Sequence, residues 1–365
     1  MLKKLIFSAF AMCFALSAHA QIATPRLNSS FHSYSSAAAG WRYNSNISLM
    51  GVSAEGKNKH NGTETGDAKA GMSGEGPDGD SSLPFLSAAV RGETFTAELY
   101  TNLTNGGMLD VEMDLFGNPS FHTFNNYHEK KVQSLNLAYM ISEDTSVGFG
   151  YSNTNIRSKI ELIGSTYVWQ ELTDTTTTKL NLSASMRMGE IFFVAAGLES
   201  VSEKGKFEAY NSFLGGVYTD GDVAANSWTN TVLGLGLMSG DPDDVQFRLE
   251  YSMVSSPESV KKAGGGEIDS DHAATSISYA ELEAKFGDFL VAYQNEVEVE
   301  KELNNSEKKN VTTMVGIGWH PMEGMMVSVY SWEKTYTLDD TDANNGLGEI
   351  DYMPKGYRVA IGYNF

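Results

Sequence analysis

Apolar residues return at every second position over runs of about ten residues throughout this chain, and this alternation constrains its fold more than any other feature. In the last run, Tyr357, Val359, Ile361, Tyr363 and Phe365 alternate with Gly356, Arg358, Ala360, Gly362 and Asn364. Leu180, Leu182, Ala184, Met186 and Met188 alternate in the same way with Asn181, Ser183, Ser185 and Arg187. Successive side chains of a strand point to opposite faces, so each run is a strand with one aromatic or aliphatic face and one small or polar face. Beyond the first twenty residues no segment carries a strong, sustained helical period.

Fourteen strands are predicted, at 46–56, 84–91, 94–102, 130–142, 145–163, 173–188, 191–204, 226–238, 244–257, 273–286, 289–303, 308–320, 325–338 and 352–365. Most are long enough to cross a bilayer as tilted strands, which need about 9–11 residues. The connections alternate between two kinds. Short ones fall at Arg91-Gly92-Glu93, Ser142-Glu143-Asp144, Met188-Gly189-Glu190, 239–243, Gly287-Asp288 and 321–324. The others, near 57–83, 103–129, 164–172, 205–225, 258–272, 304–307 and 339–351, are mostly longer and rich in Gly, Asp, Glu and Asn. Short turns at one end and polar loops at the other characterise an outer-membrane barrel, with the turns in the periplasm. The expected fold is therefore all-β, a transmembrane antiparallel barrel of about fourteen strands over residues 46–365. The small residues Gly148, Gly150, Gly234, Gly236, Gly316 and Gly318 fall on its inner face.

The charge supports this assignment once its placement is considered. The 365 residues carry 26 Lys and Arg against 46 Asp and Glu, a formal charge of −20, which excludes a nucleic-acid partner held by broad phosphate neutralisation. The negative mean hydropathy excludes a bundle of apolar helices but suits a barrel with one lipid-facing residue in two. Residues 1–20, MLKKLIFSAFAMCFALSAHA, read as an export signal: Lys3 and Lys4, an apolar stretch from Leu5 to Leu16, then Ala18-His19-Ala20 as the cleavage site. Residues 21–45 follow as a periplasmic or plug segment. Cys13, the sole cysteine, lies inside the signal, so the mature chain has neither a disulfide nor a thiol nucleophile. Tyr357, Tyr363 and the terminal Phe365 resemble the signal by which barrels are handed to the outer-membrane assembly machinery.

No motif announces catalysis. The seven histidines form no H-E-x-x-H pair, and no G-x-S-x-G elbow is present. An enzyme is not expected, nor a metal or a cofactor. The acidic loop residues Glu75, Asp78 and Asp80, and those from Asp339 to Asn345, miss the calcium-loop spacing because Gly346 falls one position out of register. They read as solvated loops that meet lipopolysaccharide through divalent ions. By alternation Glu98, Arg187, Arg248, Glu250 and Arg358 point into the lumen, as do Glu296, Glu298 and Glu300, and a buried charge needs a partner or water. Loop 103–129 holds Met108, Leu109, Met113, Leu115, Phe116, Phe121, Phe124 and Tyr127, and an apolar cluster on an aqueous surface marks a ligand site. Leu109, Met113 and Phe116 share a helical face, while Leu109, Val111, Met113 and Leu115 also fit a strand. A strand there would call for another near Thr166 to Gln170 and so for sixteen in all.

The run Val132-Gln-Ser-Leu-Asn-Leu-Ala-Tyr-Met-Ile141, with Ser146-Val-Gly-Phe-Gly-Tyr151 and Arg157-Ser-Lys-Ile-Glu161, resembles the strand pair that follows the apolar outer loop of the FadL-type outer-membrane transporters of long-chain fatty acids and aromatic hydrocarbons. That family's Asn-Pro-Ala plug motif is missing here. The resemblance implies a fourteen-strand barrel, an N-terminal plug, outer loops that collect lipophiles, and exit through a gap between strands. The function expected is passive uptake of small hydrophobic or amphipathic compounds across the bacterial outer membrane. The alternatives are a general diffusion porin and a surface-contact protein such as an adhesin. Expected partners are membrane lipid and lipopolysaccharide, the assembly machinery and a hydrophobic small molecule.

Overall fold

The structure is a computed structural model that describes residues 45–364 apart from 79–81, 116–117, 165–167, 190, 213–215, 241–244, 258, 263–266, 270–274, 302–306 and 340–348. The export signal, most of the 21–45 segment, Phe116 and Phe365 lie outside the described residues, as do the side chains of Met113, Leu115 and Phe121. Among the described residues there are eighteen strands: β1 (Asn46–His60), β2 (Thr63–Gly71), β3 (Leu83–Arg91), β4 (Phe95–Leu115), β5 (Asn118–Ser142), β6 (Thr145–Ile163), β7 (Val168–Met188), β8 (Phe192–Asn211), β9 (Val217–Gly240), β10 (Val245–Ser255), β11 (Ser259–Lys262), β12 (Glu267–Asp269), β13 (Thr275–Phe286), β14 (Phe289–Lys301), β15 (Glu307–Met322), β16 (Met325–Asp339), β17 (Glu349–Tyr352) and β18 (Lys355–Asn364). Fourteen of them form a closed antiparallel wall in the order β1, β3 to β10, β13 to β16 and β18. The ring is sealed where β18 pairs with β1, from Asn46 opposite Asn364 to Glu55 opposite Lys355.

Closure follows from the solvent. In hydrocarbon no water replaces a missing backbone partner, so a sheet with no edge is the only all-strand solution. The outer face carries the expected apolar band: Leu182, Ile317 and Tyr357 are 68%, 66% and 68% exposed. On β7 the band runs from Leu180 to Met188, about 27 Å along the strand at ~3.4 Å per residue. Aromatic residues mark its edges, with Phe95, Tyr139, Phe289 and Trp319 toward the short turns and Tyr151, Tyr251 and Tyr293 toward the loops, the girdles that bracket a membrane barrel.

Inward residues fill the lumen. Arg358, Tyr279, Tyr330, Met50, Met314, Gln294 and Glu281 are fully buried. Gly316 lies under the Tyr330 ring and Gly236 under Phe193, and a methyl group at either position would overlap the ring. The charges pair across strands: Arg248 stands opposite Glu283 in register and its Nε donates to Glu250 Oε1 at 2.7 Å. Tyr279 Oη donates to Glu281 Oε2 at 2.6 Å.

The wall is uneven in height. Strands β4 to β9 run 19 to 25 residues, whereas β10, β13 to β16 and β18 run 10 to 16. The tall half is held above the membrane by opposite charges in one cross-strand row, Glu129, Arg157, Asp174, Lys206 and Asp222, each neighbour contributing about 0.2–1 kcal/mol.

Segment 103–129 is corrected by this geometry. Its described residues are neither a loop nor a helix but the upper ends of β4 and β5, because the alternation of Leu109 to Leu115 continues an existing ladder and so costs no new strand. The strand beginning at Val168 is likewise the top of β7, and sixteen strands are not needed. Much of 205–225 is strand, and the regions 57–83, 258–272 and 339–351 hold β2, β11, β12 and β17. Leu182→Arg, within the lipid band, is expected to lower the unfolding free energy by about 2–4 kcal/mol, and Thr176→Arg above the band by less than about 1 kcal/mol, measured by denaturant titration in lipid vesicles.

Candidate functional site

One position in the wall is occupied by two strands laid end to end. The lower part of β1, 46–50, pairs with β3, while its upper part, 53–60, pairs with β2. On the other side β4 does the same, with 96–103 against β3 and 105–109 against β2. Between them the described residues 72–78 and 82 leave the ladder. Gly71 turns the chain out with φ +68°, and a side chain there would strike the Val52 carbonyl, so glycine is required.

Serine side chains complete the hydrogen bonding that the missing strand residues would have supplied. Met72 N donates to Val52 O at 2.6 Å, and Ala54 N donates to Ser73 Oγ at 3.1 Å. Asn105 N donates to Ser82 Oγ at 3.0 Å, and Ser82 Oγ donates to Gly71 O. The departing segment folds over the outer face, where Gly76 packs on the Asn105 side chain. It is tied by Asp78 to Arg157 at 2.7 Å and by Glu75 to Lys69 at 3.4 Å. Partial burial lowers the Arg157 pKa, but the hydrogen bond and charge of Asp78 more than offset this and hold it above the usual value.

Inside the upper barrel, beside this interruption, Ala68, Met108, Val111, Phe124, Ile350 and Tyr352 form a buried apolar cluster, with Ile160, Leu162 and Tyr336 packed against it. A bulge after Met108 makes it possible: Asp110 adopts φ +54° and its N donates to Asn125 Oδ1 at 2.7 Å. Both Met108 and Val111 then face inward. A cavity of about 150 Å³ adjoins the cluster. Its walls combine Phe85, Trp332 and Tyr352 with His128, Lys130, Lys334, Glu296, Glu298 and Arg358, and they include Gly71 and Asn105 at the interruption. Tyr352 joins the parts: its Oη donates to Lys69 O in β2 at 2.6 Å, its ring meets His128 edge-on at 6.1 Å, and Lys334 Nζ lies 6.0 Å above it.

The structure divides the apolar candidates of segment 103–129. Met108 and Phe124 enter the inner cluster, Leu109 is buried at the bulge, and Tyr127 is on the outer face under Lys159 Nζ at 5.9 Å. Of the lumen charges, Glu98 and Arg358 are buried, Arg358 lying 5.5 Å over the Phe85 ring. Arg248 and Glu250 bond one another, and Arg187 N donates to Asp144 O near the periplasmic turn. Tyr357 and Tyr363 stand on the outer face of β18. His128, Lys130, Lys334 and Tyr352 were not singled out in the sequence. Lys334 has the parity of the inward Tyr330 and Trp332, and Lys130 that of Val132 and Ser134. Their phase was legible, and only the cavity gives it meaning.

Solved structures share this architecture. The Pseudomonas putida toluene transporter TodX superposes with a TM-score of 0.56 at 10% identity, covering 95% of this chain and 96% of that one. The Ralstonia pickettii toluene transporter TbuX gives 0.56 at 9% identity over 89% and 91%, and a Pseudomonas aeruginosa FadL homologue gives 0.50 at 11% over 90% and 92%. The fold is that of the FadL-type barrels. No family model matches the chain and no curated protein matches it in sequence, so the FadL-type likeness is one of fold, and of a fold that belongs to the outer membrane. Gly71→Val is expected to destabilise the barrel by about 1–3 kcal/mol, the cost of a side chain held at positive φ, read as a lowered midpoint of denaturant unfolding in lipid.

Proposed function

We propose that the chain is an outer-membrane channel for the passive uptake of small hydrophobic or amphipathic compounds, and not an enzyme. The observation that carries this reading is the continuity of three parts: an apolar cluster inside the mouth, a small cavity beside it, and an interruption of the wall that the cavity reaches at Gly71 and Asn105. A lipophile gains by leaving water for Met108, Phe124 and Tyr352, about 1.5–3 kcal/mol for a group of this size. It then exits sideways beside β2 and β3. The toluene transporters of like fold favour the same class of cargo. In this reading the signal is removed near Ala20, Tyr357, Tyr363 and Phe365 guide assembly, and residues 21–45 act at the periplasmic side or as a plug.

A general porin is the weaker reading because side chains fill the middle of the barrel, where Tyr279, Gln294, Met314 and Tyr330 are fully buried. Planar-bilayer recordings are expected to give a closed baseline, and a large steady conductance would favour the porin. Replacing Met108 and Phe124 together by Ser is expected to slow toluene uptake into intact cells by about tenfold, the equivalent of ~1.4 kcal/mol of lost burial. Unchanged uptake would contradict the proposal.

A further inference from the structure

We propose that the upper edge of β9, above the membrane, is a docking strand for an extended segment of another protein that carries Lys or Arg at alternate positions. This surface is on the rim of the barrel, apart from the mouth cavity. It exists because the wall steps down there, from 24 residues in β9 to 11 in β10. β8 pairs with the upper part of β9, from Asn211 opposite Val217 to Gly205 opposite Val223. On the other side β10 pairs with β9 only from Thr231 downward, and β11 adds Ser227 and Asn226. The chain then turns back, since Lys261 already faces Glu267 of β12. Among the described residues, Val217 to Val223 therefore have a ladder on one side alone.

The edge at the far end of the tall half is treated differently. There β2 pairs with β4 from Asn105 to Leu109, and beyond it Thr65 Oγ1 accepts the Glu112 N–H at 2.8 Å. One edge is covered by the chain itself and the other is left open. Every second residue of an edge strand turns its N–H and C=O outward. The seven residues from Val217 to Val223, about 24 Å of strand, can thus take an added strand by main-chain hydrogen bonds.

Charge decides which strand fits. In the row below, Asp222 is balanced by Lys206, but Asp220 stands directly opposite Glu208. Both of these carboxylates are exposed, and like charges so placed are destabilising. The hydrogen bond of Tyr218 to Glu208, with the charges of Glu208 and Asp220 beside it, raises the tyrosine pKa above its usual value. Asp220 and Asp222 lie two apart and so share the outer face of β9. A strand with a basic residue at every second position sets a cation beside each of them and relieves the repulsion from Glu208. A second copy of this chain in the same membrane is a poor occupant, because its β9 descends in the same sense and brings acid against acid.

Fluorescence anisotropy with the folded full-length chain in detergent at low salt tests this, using a labelled seven-residue peptide in which Lys alternates with Val and Thr. It is expected to bind about tenfold tighter than the same peptide with Glu in place of Lys. Asp220→Asn and Asp222→Asn should each weaken it about two- to fivefold, the range of an exposed ion pair. Methylating one alternate set of the peptide's backbone nitrogens should abolish binding, and methylating the other set should leave it, since only one set faces β9. Hydrogen exchange at 217–223 should slow when the peptide binds. The mobility shift on unheated gels verifies that each variant is folded. Equal affinity for the Lys and Glu peptides, indifference to both Asn variants, the same response to either methylation, or unchanged exchange at 217–223 overturns the proposal. Protection of 217–223 that rises with protein concentration and without peptide assigns the edge to a second copy and overturns it as well. Toluene uptake by the Asn variants stays at the level of the parent chain, so failure here leaves the channel reading standing.

Discussion

A backbone amide in hydrocarbon has no partner except another part of the chain, and each feature of this barrel answers to that requirement. It forces the sheet to close through β18 and β1, and it makes any break in the ladder expensive. The break between β2 and β3 is therefore informative. There the chain spends a positive-φ glycine and two serine hydroxyls, at Ser73 and Ser82, to supply hydrogen bonds that continuous strand would have provided without special residues. A sequence that only needed a closed wall had a simpler solution.

The interior shows a second division of labour. The lower and middle lumen is filled by paired charges and by aromatic rings laid over glycines, as with Arg248 and Glu250 or Tyr330 and Gly316. The upper part is apolar and leaves space beside it. Height follows the same asymmetry: the six long strands β4 to β9 rise above the membrane on one side and carry Met108, Val111 and Phe124 at their inner face. Cargo drawn to that face lies next to the wall interruption, not above an open axial pore.

Much of this was legible in the sequence. Period-two alternation locates all fourteen wall strands, since one lipid-facing residue in two leaves a signal that every turn resets. Strand ends were less legible, because above the membrane both faces meet water and the alternation fades, as in Thr173 to Thr178. The β1–β2 hairpin did carry a sign, Asn61-Gly62, both at positive φ, the pair that tight hairpin turns favour. Pairing of β2 with both β1 and β4 was not legible, because register between distant segments depends on the whole ring. The apolar residues of 103–129 were visible as a group, but the bulge at Leu109-Asp110 decides which of them face inward. The lysines at 130 and 334 gain significance only once the wall brings β5 and β16 to one cavity.

The central claim is the route: in at the apolar cluster, out through the wall. Photo-labelling with a diazirine-bearing benzene, followed by peptide mapping, tests it most directly. The account predicts adducts at Phe124 and Tyr352, at Trp332 and Phe85, and then at residues 70–83 and Asn105. Adducts running down the axis instead, at Gln294, Glu281 and Arg248 toward the periplasmic turns, with none at 70–83, would contradict it.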